Sequence, residues 1–237
     1  MDNSKGFLLD LLFPKFCLGC QKEGTYLCDD CRSLLDINEF NYCLCSHNPY
    51  ITQTGKCYRC QNRKLSGLYS ALPYKEHELT KKLIYQFKYP PYLKDLAKTL
   101  TSIIIEHLVL SKKNTDNIWE NSVLIPVPLD SKKIRERGYN QTEELSNEMS
   151  KVLTIPVITN NLLKIKQTEP QMELTKSERE KNLENAFKIK NPAEFAGKKI
   201  FLVDDVYTTG STMEECAKVL KISGAKQIWG IVIAREG

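Results

Sequence analysis

The stretch IFLVDDVYTTGST, Ile200 to Thr212, decides how the rest of this chain is read. Ile200, Phe201, Leu202 and Val203 form an apolar run of the kind buried on both faces of a parallel sheet. Two adjacent acids follow, Asp204 and Asp205, then a turn of small hydroxyl residues around Gly210. Met213, Cys216, Ala217 and Leu220 then mark one face of a helix over Met213–Ser223, and Gly224 is placed to end it. Strand, tight loop and helix N-terminus make an anion site, because the first helical N–H groups have no partner inside the helix. Gly210 lets the backbone come close to a ligand, and Thr208, Thr209, Ser211 and Thr212 offer hydroxyls. Two carboxylates beside the loop repel a phosphate. They suit vicinal hydroxyls, as on a ribose, or a divalent cation.

This combination resembles the 13-residue motif of the type I phosphoribosyltransferases, which bind phosphoribosyl pyrophosphate (PRPP). The resemblance implies that Asp204 and Asp205 hold the ribose hydroxyls. It also implies that Thr208, Thr209, Gly210, Ser211 and Thr212 cradle the 5′-phosphate. The order of residues is not that of a GxxxxGK[ST] P-loop, and no such string occurs in the chain.

The chain has 237 residues, 41% hydrophobic and 27% charged, an ordinary globular profile with room for one α/β domain and a small extra module. Its net charge of +5 is uneven: residues 1–60 carry −1 and the remainder +6. That mild basic balance fits phosphate-rich ligands and is too weak by itself to argue for nucleic acid. The apolar residues Phe7 to Phe13 suggest a short helix ending near Pro14, broken by Asp10 and without a signal-peptide cleavage site. No run reaches membrane-spanning length, so we expect a cytoplasmic protein without membrane insertion. In that compartment, cysteines serve as thiols or metal ligands more than as disulfides.

Eight of the nine cysteines lie within residues 17–60. Cys17/Cys20, Cys28/Cys31 and Cys57/Cys60 are Cys-x-x-Cys pairs, a spacing that lets two thiolates converge on one tetrahedral zinc ion. We expect one structural Zn²⁺ on Cys17, Cys20, Cys28 and Cys31 and another on Cys43, Cys45, Cys57 and Cys60; spacing also allows interleaved pairing. Cys43 and Cys45 are only two apart, and His47 is near enough to replace one of them. The segment has little apolar mass, so metal would supply its folding free energy. We therefore divide the chain into a double zinc-ribbon module over 1–65 and an α/β domain over 66–237, with separate cores.

The remaining segments read as scaffold and loops. Residues 67–74 suit a strand, and Glu78–Lys88 a helix with Leu79, Leu83, Ile84 and Phe87 on one face. Lys81, Lys82 and Lys88 on it read as a solvated face. A second helix over Lys94–Leu110, a strand over Val123–Val127 and a helix over Glu143–Leu153 follow. Between the last two lies a basic loop, in which Lys132, Lys133, Arg135 and Arg137 offer a second anion site, or else a salt-bridged surface helix start. Val157–Ile165 suggests a strand edge. The polar stretch 166–187 reads as either a mobile lid or an exposed connector. Gln227–Ala234 supplies a final strand.

The order of these pieces resembles one family. A cysteine-rich region is followed by PVPLxxxxxRxRGYNQ at 126–141, KQTxPQxxLxxxERxxNLxxAF at 166–187, and VDDVYTTGST. This is similar to the ComF family of phosphoribosyltransferase-like proteins. The family's usual second ribbon opens with Cys-x-x-Cys, one residue longer than Cys43-Leu-Cys45 here. The resemblance implies a type I phosphoribosyltransferase-like fold, a mainly parallel sheet flanked by helices with a small N-terminal zinc-ribbon module. It also implies a part in natural transformation and in handling incoming single-stranded DNA. Two functions follow. One is an enzyme using PRPP with Mg²⁺ in nucleotide or nucleobase salvage, acceptor unspecified. In it Lys132, Arg135, Arg137 and a lid cation, Lys176 or Arg179, would stabilise the leaving pyrophosphate. The other is a PRPP-binding protein that also holds single-stranded DNA, a competence helicase or another DNA-processing protein. Tyr58, Arg59, Arg63, Lys64, Tyr69 and Tyr74 mix aromatics and cations as single-strand surfaces do.

Overall fold

The computed structural model describes residues 14–75, 77–111, 117–166 and 182–236. In chain order its elements are α1 (Asp29–Ser33), β1 (Gly67–Pro73), α2 (Glu78–Lys88), α3 (Leu96–Leu110), β2 (Ser122–Pro126), α4 (Ser131–Arg137) and α5 (Gln141–Leu153). Then come β3 (Leu162–Lys164), β4 (Phe187–Ile189), β5 (Lys199–Tyr207), α6 (Ser211–Ile222) and β6 (Gln227–Arg235). The expected apolar helix at Phe7–Phe13 lies outside the described residues.

Four strands form one parallel sheet in the order β1-β6-β5-β2. The strand containing the quoted stretch is central, and its alternation explains the layers. Phe201 and Val203 face one side, where they join residues of α3 and α5, while Ile200 and Leu202 face the other, with Met213, Cys216 and Leu220 of α6. Both faces are dry, as an apolar run in a parallel strand requires. The expected strand edge at 157–165 is in part β3, which pairs antiparallel with β4 beside α6. The stretch read as a lid falls between these two strands, and its residues 167–181 are outside the described ones.

The cysteine region does not have a core of its own, contrary to expectation. Cys17, Leu27, Cys28, Cys31 and Leu35 are buried in the cluster on the α3/α5 face. Cys43, Leu44, Cys60 and Leu65 are buried in the cluster on the α6 face. A module this poor in apolar residues gains burial by borrowing both faces of the sheet. The chain crosses between them at β1, the outer strand: Asn38 N and Asn38 Nδ2 donate to Ala71 O and Ser70 O, each at 2.8 Å. No helix among the described residues is long and apolar enough to cross a membrane.

Candidate functional site

At the carboxyl end of β5 the chain turns sharply into α6. Gly210 takes a left-handed φ of 76° as the residue before the helix. A Cβ there would run into the Tyr207 ring, so the turn needs glycine twice over. The Thr209 and Ser211 hydroxyls bond each other at 2.8 Å, and Ser211 N donates to Thr209 Oγ1. The helix therefore starts two residues earlier than its apolar stripe suggests. Its positive end faces the same cleft as Thr208 to Thr212.

Asp204 and Asp205 belong to the last turn-ward residues of β5, and both line that cleft, which holds about 830 Å³. Asp205 is buried, and Lys88 Nζ pairs with its Oδ1 at 2.7 Å. Asp204 Oδ1 accepts from Asp205 N at 2.8 Å. Burial, and then the Asp205 charge, push the Asp204 carboxyl up to about 7. Near neutrality Asp204 can thus either donate or accept a hydrogen bond, which suits a hydroxyl partner.

Of the two readings of the basic segment after β2, the helix start is the one found: it forms α4. Asp130 caps its start, accepting from Lys132 N at 2.8 Å, and Gly138 ends it at φ 81°. Helical spacing then divides the cations. Lys133 and Arg137, four apart and on one face, line the cleft. Lys132 and Arg135 are exposed and lie outside its lining. Burial lowers the Arg137 guanidinium while the Asp205 charge opposes it, and both residues line the one cleft. Arg179 and Lys176 lie outside the described residues.

Three lysines of α2 were read as a solvated face, yet Lys81, Lys82 and Lys88 all line the cleft. Lys164 of β3 joins them there, its ammonium lowered by burial and by Lys133. Lys81, Tyr85 and Lys88 share one helical face, a signal present in the sequence. That this face looks onto β5 is a tertiary fact. The mixed stacking surface also divides. Tyr69 is buried at 3% exposure and stacks on Trp229 at 5.0 Å, so it cannot meet a base. Tyr58 is exposed, with Arg59 over the neighbouring Tyr50 ring at 4.6 Å. Tyr74 lines the cleft, whereas Arg63 and Lys64 border a separate basic hollow with Lys56, Lys218 and Lys221.

The cysteines converge as two sets of four: Cys17, Cys20, Cys28 and Cys31, and Cys43, Cys45, Cys57 and Cys60. Within each set all sulfurs lie within 4.8 Å of one another, and none of the nine cysteines is in a disulfide. Separations of 3.5 Å for Cys20–Cys28, 3.6 Å for Cys45–Cys57 and 3.7 Å for Cys57–Cys60 match the ~3.8 Å that bonds of ~2.3 Å to tetrahedral zinc impose. The Cys17, Cys60 and Cys43 sulfurs accept from the backbone N–H groups of Cys28, Cys57 and Tyr50, as metal-bound thiolates do. The short Cys43-Leu-Cys45 spacing still closes its set, and His47 is exposed outside it. Against burial, backbone N–H groups pull Cys17 down to about 6, while burial and sharing with Cys17 push Cys31 up to about 12. Crowded thiols of this kind are what a dication relieves, and each set could hold one structural zinc.

A phosphoribosyl transferase domain model matches residues 134–237, which include the loop, the twin acids and Arg137. The chain is 32% identical to competence protein F of Haemophilus influenzae over 223 residues, covering 92% of this chain and 90% of that one. It is 28% identical to competence protein ComFC of Streptococcus pneumoniae over 88% of this chain and 87% of that one. It is 29% identical to the DNA utilization protein YhgH of Salmonella typhimurium over 62% of this chain and 64% of that one. Matches that run from the cysteine sets through the loop after β5 place this chain in the ComF family of phosphoribosyltransferase-like proteins.

Proposed function

We propose that this is a cytoplasmic PRPP-binding protein of natural transformation that works on or beside incoming single-stranded DNA. One observation carries the ligand: the turn Thr208–Thr212, the acids Asp204 and Asp205, and the cations Lys133 and Arg137 open onto a single cleft. On this reading, the turn takes the 5′-phosphate, the acids take the 2′- and 3′-hydroxyls, and Arg137 with Lys133 takes the pyrophosphate. Mg²⁺ would enter with PRPP beside Asp204 and Asp205, where it would neutralise pyrophosphate charge. Lys88 is ion-paired with Asp205, and Asp204, raised to about 7, can donate as well as accept. The role in transformation is carried over from relatives named as competence proteins; a helicase or other DNA-processing partner is what the family resemblance implies.

A second reading, phosphoribosyl transfer in nucleotide or nucleobase salvage, is favoured by the same cations. An acceptor would attack the anomeric carbon as its bond to pyrophosphate breaks, and on this reading Arg137 and Lys133 would stabilise the departing charge. Calorimetric titration with PRPP, with and without Mg²⁺, tests the shared part. Saturable binding that ribose 5-phosphate competes away and free adenine does not is the expected result. Pyrophosphate release on adding candidate acceptors separates the enzyme from the binder. Absence of PRPP binding with or without Mg²⁺ would end both readings.

A further inference from the structure

The two cysteine sets are docked in different places. The first sits on α3 and the outer strand: Arg32 pairs with Glu106 and donates to Ser102 Oγ at 2.8 Å, and His107 Nδ1 meets Asn38 O at 2.6 Å. None of those partners belongs to the turn after β5. The second set is tied to that turn from several sides. The Tyr207 hydroxyl donates to Leu44 O, between Cys43 and Cys45, at 2.9 Å. Arg235, at the end of β6, donates to Cys43 O at 3.1 Å and Cys45 O at 2.7 Å. Just past Cys60, both Nη atoms of Arg63 reach Thr209 O at 3.4 Å. In return Glu214, in the first turn of α6, accepts from Lys64 N and Leu65 N.

We infer that the second cysteine set, acting through Arg63 and Glu214, is the element that holds the phosphate turn in its binding shape, so that metal at this set governs anion affinity while metal at the first does not. The physical reason is order. The turn holds a glycine at positive φ and small hydroxyl residues, which have no stiffness of their own. Its carbonyl at Thr209 points back to Arg63, and in a trans peptide that directs the Gly210 N–H the opposite way. Segment 57–65 can hold Arg63 there only if Cys57 and Cys60 are fixed, and a short segment of this composition needs an ion to fix it. Tyr207 adds a second strut: its ring fills the place a Cβ at Gly210 would take, and its hydroxyl is fastened to the Cys43–Cys45 loop. Arg63 and Glu214 are accordingly positioning residues. As regards PRPP, the inference rests on the function proposed above; as regards the shape of the turn, it does not.

The test uses the full chain and a readout independent of any ligand, amide hydrogen exchange over residues 207–214. Cys57→Ser, Arg63→Ala and Glu214→Gln are compared with Arg32→Ala, which loosens the dock of the first set by a matched change. Zinc content is measured for each. The expected result is faster exchange across 207–214 in the first three and wild-type exchange there in Arg32→Ala, with Arg63→Ala and Glu214→Gln keeping both zinc ions. PRPP affinity should fall about threefold to tenfold in Arg63→Ala, the effect of one hydrogen-bonded link, and further in Cys57→Ser. If Cys57→Ser does not fold, by circular dichroism, the other two variants read the same link with the metal in place. Unchanged exchange over 207–214 in folded Arg63→Ala and Glu214→Gln would overturn the inference, as would equal loss in Arg32→Ala. Should the wild type bind no PRPP, the proposed function falls, and the exchange comparison still decides this point.

Discussion

Lys88, at the end of α2, is ion-paired with Asp205, at the end of β5, across the cleft wall at 2.7 Å. The pair joins two segments more than a hundred residues apart, while the neighbouring Asp204 is raised by its own burial and then by the Asp205 charge.

Removing Lys88 should strand a buried carboxylate. Lys88→Met is expected to destabilise the fold by about 2–3 kcal/mol at pH 7, somewhat below the range for breaking a fully buried pair, because the lysine keeps some exposure. Asp205→Asn in that background should restore part of the loss. Urea denaturation of the two single variants and the double variant, as a cycle, measures the coupling. Additive losses would mean the pair contributes nothing.

Asp204 gives a pH signature. Its carboxyl is raised in the folded protein from 3.8 to about 7, so folding favours its protonated form. The associated stability is fully present below pH 4 and is lost as the pH rises through 7. Asp204→Asn cannot lose it. The variant should match the wild type near pH 4 and be the more stable of the two at pH 8, by chemical denaturation at each pH. Converting both acids to amides should nonetheless weaken PRPP binding about a hundredfold or more, since charge-assisted bonds from two carboxylates vanish.

Gly210→Ala should fail on two counts, the positive φ and the Tyr207 ring. A loss of about 1–3 kcal/mol in stability and a collapse of PRPP affinity are expected. Thermal melts and calorimetry report the two separately. Thr209→Val should do less to binding, because backbone N–H groups supply most of the phosphate contact.

Metal content should be near two zinc equivalents in protein purified without added metal, and near one in Cys20→Ser or Cys57→Ser. Elemental analysis without metal, together with oxidised cysteines, would contradict the zinc reading. Because Cys17 and Cys31 share a cluster with residues of α3 and β6, loss of the first zinc should lower the melting temperature of the whole chain.

If single-stranded DNA binds directly, binding should be sequence-tolerant and fall steeply with salt. Tyr58→Ala should weaken it without changing stability, as that ring is 72% exposed. Tyr69→Ala should instead unfold the protein. Fluorescence anisotropy at two salt concentrations, with melts of both variants, checks this. Salt-insensitive association would favour a protein partner.

What the sequence made legible was what is local. Strand, acids, turn and helix follow one another from Lys199 to Ile222, and the cysteine pairs announce their own spacing. The basic segment reads from its charges as either a loop or a surface helix start; Asp130 and Gly138 decide for the helix, and with it for the division of Lys133 and Arg137 from Lys132 and Arg135. Lys88 and Tyr69 were misjudged. Their surroundings are made by β5 and by Trp229, and no window along the chain contains those partners.

The crossing of the cysteine region over β1 has a consequence for the protein's life outside the folded state. β1 is an outer strand that is apolar on nearly all its residues, and Asn38 covers its free carbonyls at Ser70 and Ala71. Stripped of metal, the region that supplies this cover would loosen first, and the bare edge would be open to another copy's strand. Zinc starvation should therefore deplete this protein by aggregation before it unfolds the sheet.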